Sequence, residues 1–286
     1  MSKKTILILG SGGMCGHIFY KYLNSLNKYK IYDIARTKVN PNTIVLDIKK
    51  EFYILETAIK EFMHPDIIIN CVGILVKESE QNPENAIWIN SYFPHFLEDV
   101  TRGTQTKIIH LSTDCVFNGQ GTGYYQDTDE PNGVGVYARS KALGEINNGK
   151  DLTVRMSIIG PELKKTGTGL FSWFLSQKGQ VKGYNGVYFN GISTLELARA
   201  MDKIIDSNIT GLYHLAPNYK IDKYSLLCLF QKIWDKTDIS IVPDNELMQD
   251  KSLLNSDRQI LGYQMPFSYE EMLIDLKEYM DETRPV

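Results

Sequence analysis

The sequence predicts an α/β fold, a doubly wound parallel sheet followed by a smaller C-terminal lobe. From Thr5 to about Ser112, short apolar runs alternate with amphipathic stretches, the pattern of strands joined by crossover helices. Four of those runs, at Ile6, Ile31, Ile67 and Ile108, show no polar alternation, as expected of strands covered on both faces. A glycine-rich turn joins the first run to the first amphipathic stretch.

Taken in order, ILIL opens the chain as a buried strand, its apolar run too short for a signal-peptide core or a membrane span. MCGHIFYKYLNSL follows as a helix, IYDIA and IVLDI as strands, YILETAIKEFM as a helix and DIIINCV as a strand. A long segment around Trp88 to Val100 leads to the strand KIIHLS, and LTVRMSII is the next strand. Glycine then becomes frequent (Gly160, Gly167, Gly169, Gly179, Gly183, Gly186, Gly191), which predicts loops and short strands around one helix, LFSWFLSQ. A helix from Thr194 to Ile205, the strand GLYHLA, a helix from Lys223 to Trp234 and a helix from Tyr269 to Met280 complete the reading. Residues 1–160 form the main domain and 161–286 mainly the smaller lobe, with Thr194–Ala216 able to fold back onto the main sheet.

Composition excludes several classes. With 31 Lys+Arg against 34 Asp+Glu the net charge is -3, so no basic field exists to hold nucleic acid or an anionic membrane. Cys15, Cys71, Cys115 and Cys228 form no C-x-x-C pair, which argues against a zinc site or a disulfide framework and fits a reducing cytoplasm. His17, His64, His95, His110 and His214 show no i, i+4 pairing, so no metal site is expected.

The first strand runs into Gly10-Ser11-Gly12-Gly13-Met14-Cys15-Gly16. Cys15 breaks a G-x-G-x-x-G reading, whereas G-x-x-G-x-x-G fits on Gly10, Gly13 and Gly16. Such a turn lets backbone amides, here those of Met14 and Cys15, and a helix dipole approach a pyrophosphate, so residues 1–160 are read as a dinucleotide-binding domain. The second strand ends Ile34-Ala35-Arg36-Thr37-Lys38, with Ala35 at about the usual ribose-binding acid. Arg36 can meet a 2′-phosphate with a planar fork of donors, which favours NADPH over NADH; the plainer reading is a solvated loop. Asp33, in mid-strand, leaves the register open.

Beyond the fifth strand lies Leu111-Ser112-Thr113-Asp114-Cys115-Val116-Phe117-Asn118-Gly119, and Tyr137-Ala138-Arg139-Ser140-Lys141 opens a later helix. Spaced four apart, Tyr137 and Lys141 share a helix face and can reach one bound molecule. A free phenol titrates near ~10 and is a poor acid–base group at pH 7; a neighbouring ammonium brings it closer to working range.

Glycine turn, Ser-Thr-Asp, Tyr and Lys in that order resemble an extended short-chain dehydrogenase/reductase. Within that superfamily the chain is most similar to the dTDP-4-dehydrorhamnose reductase family. The similarity is densest in Ser112–Gly119, against the family's S-T-D-Y-V-F-D-G, and in Val136–Glu145, against V-Y-G-x-S-K-x-x-G-E. It extends through Pro131-Asn132, Val154-Arg155 and Gly211–Leu215. The resemblance implies a Rossmann fold, a dinucleotide and a nucleotide-linked sugar substrate bound by the C-terminal lobe. It implies hydride delivery to a keto carbon, a proton from Tyr137, a hydrogen bond from Thr113 to the keto oxygen, and Lys141 on the nicotinamide ribose.

The same resemblance puts Asn70, Cys71, Val72 and Gly73 beside the cofactor, Asp47 and Ile48 at the adenine edge, and Ser112 at the end of the fifth strand with the cofactor set. Asn90 is expected to steady Lys141 through water. Asp114, Cys115, Val116, Arg155 and Ile158 join Thr113 on the substrate side, and Arg155 has a salt bridge as its alternative. Cys115 stands where the family has tyrosine, and Ile158 where an aromatic often lies, so the hexose is expected to depart from dehydrorhamnose. Two further readings stay open: a sugar-nucleotide epimerase or dehydratase, and a non-catalytic regulatory subunit like the β subunit of methionine adenosyltransferase. A homodimer is also left open.

Overall fold

A computed structural model describes residues 3–164, 167, 169–256, 260 and 262–283. In chain order the elements are β1 (Lys4–Leu9), α1 (Gly16–Ser25), β2 (Tyr29–Ala35), β3 (Ile44–Val45), α2 (Phe52–Thr57), β4 (Ile67–Asn70), α3 (Val76–Gln81), α4 (Pro83–Ala86), α5 (Phe93–Val100) and β5 (Lys107–Leu111). There follow α6 (Gly135–Leu143), β6 (Leu152–Arg155), β7 (Ile158–Ile159), α7 (Leu170–Ser176), β8 (Gly179–Tyr184), β9 (Val187–Phe189), β10 (Ile192–Ser193) and α8 (Thr194–Ile204). The chain continues through β11 (Gly211–His214), β12 (Ile221–Asp222), α9 (Lys223–Ile233), β13 (Ile239–Asp244), β14 (Gln249–Asp250) and α10 (Tyr269–Glu282).

Seven strands build the main sheet in the order β11-β6-β5-β4-β1-β2-β3, and every pairing in it is parallel. Alternate side chains of β1 enter different cores: Ile6 and Ile8 pack with α1 and α8, Leu7 and Leu9 with α2 and α5. All four are fully buried, worth about 1.5–3 kcal/mol each. That two-sided burial is the physical reason the strand carries no polar alternation. Among the described residues no helix is long and apolar enough to cross a membrane.

Three segments differ from the sequence expectation. Of IVLDI only Ile44 and Val45 form a strand, because this edge meets just the last two residues of β2, and Leu46 and Ile48 turn into the core instead. LTVRMSII divides: β6 stays in the sheet, while Ile158 and Ile159 leave it to pair with Ile192 and Ser193. The helix YILETAIKEFM runs as α2 and then widens into a π-helical turn, Ala58–Met63, closed by His64 at φ 41°.

β11 pairs in parallel with β6, Gly211 opposite Leu152 and His214 opposite Arg155, so this strand extends the main sheet. The helix before it, α8, is capped by the Ser193 hydroxyl on the Glu196 N–H and sends Leu197, Ala198 and Met201 into the core shared with α1. What stands apart from the sheet is the β12-β9-β14 sheet, the β13-β8 pair and α9. These dock on the loop after β5: Tyr125 N–H donates to the Ser252 carbonyl, Asp250 N–H to that of Gly119, and Gln249 to that of Asn118. A crevice is thereby walled by the C-terminal ends of the parallel strands on one side and by this lobe on the other.

Candidate functional site

The glycine turn is shaped by close approach. Gly10 has φ +84°, and a Cβ there would lie 3.2 Å from the Cys71 carbonyl carbon and from Val72 Cγ2. A Cβ on Gly16 would fall 2.2 Å from the Gly10 oxygen, and one on Gly13 3.2 Å from that same atom. Gly12 meets only ordinary contacts, so the spacing that the geometry demands runs through Gly10, Gly13 and Gly16. Among the described residues the Met14 and Cys15 N–H groups have no acceptor, and no side chain caps α1. Orphan amides at a helix start with no acid in the first turn suit a phosphate, so the residues present fit a dinucleotide.

At the end of β2, Ala35 faces Gly12, and the exposed Arg36 and Lys38 follow with no partner among the described residues. Asp33 is buried and already engaged, accepting from the Ser11 hydroxyl at 2.7 Å and from Asn40 at 3.1 Å. It braces the turn, which closes the register question. Asp47 accepts from the Lys49 N–H, and Ile48 packs beside Leu9 and Ile34. Asn70 accepts from the Val72 N–H and contacts His110 Nδ1 at 3.1 Å, shaping the Cys71–Gly73 segment that passes Gly10.

Thr113, Asp114, Cys115 and Tyr137 come together where β5 ends and α6 begins. The Thr113 hydroxyl donates to Asp114 Oδ1 at 3.1 Å and accepts from the Cys115 N–H. Burial holds the Tyr137 phenol well above its ordinary range; nearby Cys115 and Asp114 push the same way, and a hydrogen bond with Thr113 opposes them. The phenol is therefore neutral at pH 7, a proton donor.

Lys141 departs from expectation in one respect. Its ammonium donates to the Leu111 carbonyl at 2.7 Å and lies 3.5 Å from His110 Nε2, and it does not shift Tyr137. It faces the glycine turn: burial lowers it to about 8, against Glu145, Cys71 and Cys15. Above that value the group is neutral, so binding that depends on its charge is lost as pH rises through about 8. We expect NADPH affinity to fall along an alkaline limb near that pH, and Lys141→Met to remove the limb; fluorescence titration of NADPH between pH 6 and 10 measures it.

Five residues expected at ligands make contacts within the protein itself. Arg155 is 1% exposed and bound through two nitrogens to Glu145, at 2.8 and 2.7 Å, so it cannot meet a diphosphate. Val116 is fully buried with Phe117, Ala216 and Leu253. The Asn90 amide donates to the Ile74 carbonyl and the Ser140 hydroxyl and accepts from the Ile74 N–H. With both donors used, it ties the loop after β4 to α6. Ser112 gives its one hydroxyl proton to Glu145 at 2.7 Å, bracing the strand end. Ile158, half-buried in β7, packs against the α1-side core.

Sequence reasoning missed Glu145 and His110. Glu145 gathers Ser112, Arg155 and the field at Lys141 into one place; its signal was the buried arginine, which needs an acid. A groove of about 950 Å³ between α8 and α10, lined by Tyr22, Glu196, Arg199, Tyr263 and Asp275, shares no residue with the crevice. Arg199 there is bound to both Glu196 and Asp275. Among the described residues no group of His, Cys, Asp and Glu is placed to hold a metal ion.

The family model described as RmlD substrate binding domain matches residues 4–248. The chain belongs to the RmlD, or dTDP-4-dehydrorhamnose reductase, family. This RmlD-family chain is 24% identical over 237 residues to methionine adenosyltransferase 2 subunit beta of Xenopus laevis, covering 78% of this chain and 70% of that one. It is 29% identical over 143 residues to dTDP-4-dehydrorhamnose reductase of Aggregatibacter actinomycetemcomitans, 49% of this chain and 45% of the reductase. The structure of dTDP-4-dehydrorhamnose reductase from Bacillus anthracis in complex with NADP superposes with a TM-score of 0.82 at 20% identity, covering 99% of this chain and all of that one. The RmlD family thus accounts for the parallel sheet and for the lobe that closes the crevice.

Proposed function

We propose that this chain is a cytoplasmic, NADPH-dependent reductase of a nucleotide-linked 4-keto-6-deoxy sugar, serving deoxysugar synthesis for surface polysaccharide. One observation carries the reading: a neutral, half-buried Tyr137 phenol lies beside the Thr113 hydroxyl, on the crevice that Lys141 shares with the Gly10–Gly16 turn. When bound, the dihydronicotinamide supplies the hydride. Tyr137 holds the proton destined for the keto oxygen, and the Thr113 hydroxyl, turning its proton from Asp114 to the substrate, orients that oxygen. Lys141, anchored on the Leu111 carbonyl, retains N–H donors for ribose hydroxyls. Cys115, in place of an aromatic residue, suits a hexose shaped differently from dehydrorhamnose.

The test supplies dTDP-, GDP- and UDP-linked 4-keto-6-deoxy sugars and follows NADPH absorbance. Consumption with one of them is expected; none with any, while NADPH binds, overturns the proposal. For the cofactor, Arg36→Ala should raise the KM for NADPH about tenfold and leave NADH unchanged, the worth of one charge-assisted hydrogen bond. Equal effects on both cofactors would remove Arg36 from the 2′-phosphate.

The relationship to methionine adenosyltransferase 2 subunit beta supports a second reading, a dinucleotide-binding regulatory subunit. In that case the chain co-purifies with a larger enzyme and Tyr137→Phe leaves activation of that enzyme unchanged.

A further inference from the structure

The lobe sheet β12-β9-β14 brings two lysines to one face. Asp222 and Asp250 both stand in register with Tyr188, so the residues after them, Lys223 and Lys251, turn to the opposite face, the one that Phe189 occupies. The side chains follow that parity: Lys223 Nζ is 3.3 Å from the Phe189 ring centroid, and Lys251 Nζ is 3.7 Å from Cys115 Sγ. Lys220, on the Tyr188 side, is instead paired with Asp250.

Neither Lys223 nor Lys251 has an ion-pair partner among the described residues. Burial, with the like charge of Lys251, lowers Lys223 to about 8, while Asp114 and Cys115 across the crevice oppose that shift. Two ammoniums on one face repel one another and are costly to desolvate; Asp114 offsets part of this at Lys223, and an anion held between the two lysines relieves the rest. The wall they face carries Asp114 and Cys115, next to Thr113 and Tyr137.

We propose that Lys223 and Lys251 form an anion-binding site on the substrate side of the crevice. It takes anionic oxygens of the substrate, either the diphosphate bridge or an acidic substituent on the hexose. The inference rests on reading the crevice as a nucleotide-sugar site, and it assigns to the lobe the charge recognition that Arg155, locked to Glu145, cannot supply.

The experiment titrates the full chain, as wild type, Lys223→Met, Lys251→Met and the two Lys→Arg variants, with dTDP, UDP, UDP-glucose and UDP-glucuronate, and separately with NADPH. Each Met variant is expected to weaken binding at least about tenfold, and each Arg variant to retain most of it. Loss toward dTDP or UDP identifies the diphosphate; loss confined to UDP-glucuronate identifies an acidic hexose. Met variants that bind all four ligands as wild type does, or a wild type that binds none of them, overturn the site. NADPH affinity separates the failures: unchanged in the variants, it shows them folded, and its absence in the wild type sinks the reductase reading itself.

Discussion

Tyr137→Phe is expected to lower turnover by roughly 10²–10⁴, the usual contribution of a positioned proton donor. The substitution removes one oxygen from a half-buried ring, so packing changes little and NADPH affinity should hold. The direction of chemistry matters here. Burial, with Cys115 and Asp114 nearby, keeps the phenol protonated at neutral pH, which is the state a reduction consumes. An oxidation would instead need the phenolate, and the ammonium that would stabilise it is bound to the Leu111 carbonyl. Steady-state kcat measured beside an NADPH titration decides the matter: a wild-type kcat removes Tyr137 from proton transfer, and a lost NADPH affinity makes its role structural.

Much of this architecture was readable from residues alone, for a physical reason. Strands buried on both faces are mostly apolar, so β1, β4 and β5 announce themselves, and a turn that tolerates no Cβ must spell glycine at Gly10 and Gly16. Short pieces paired at an edge carry no such constraint: Ile44–Val45 and Ile158–Ile159 are set by which neighbour they meet, which periodicity does not encode. The candidate site divides the same way. Thr113 and Tyr137 meet because they end a strand and open a helix at the same rim of the sheet. What the residue types of Arg155, Ser112 and Asn90 could not reveal was their partners: each is polar and near the crevice, and each is held by the protein itself. Lys223 and Lys251 were invisible because their shared face depends on the register of three short strands separated by some sixty residues of chain.

The network that captures Arg155 leads to the largest expected effect on stability. Glu145 accepts Arg155 through both carboxylate oxygens and Ser112 through one; Arg155 in turn stacks on Phe117 and lies 3.3 Å from His214 Nε2. His214 is pushed down to about 4 by burial and by the arginine, so it is neutral and presents a lone pair to the guanidinium. Glu145→Ala leaves that guanidinium buried, with its carboxylate gone, and should destabilise the fold by about 3–5 kcal/mol, a large part of an ordinary domain's margin. Replacing both partners tests the cause, because an apolar pair carries no stranded charge: Glu145→Leu with Arg155→Met should recover most of the loss. Urea unfolding of the two variants measures it, and a double variant as unstable as Glu145→Ala would mean that the arrangement of Ser112 on β5 and of α6, rather than the buried charge, sets the cost.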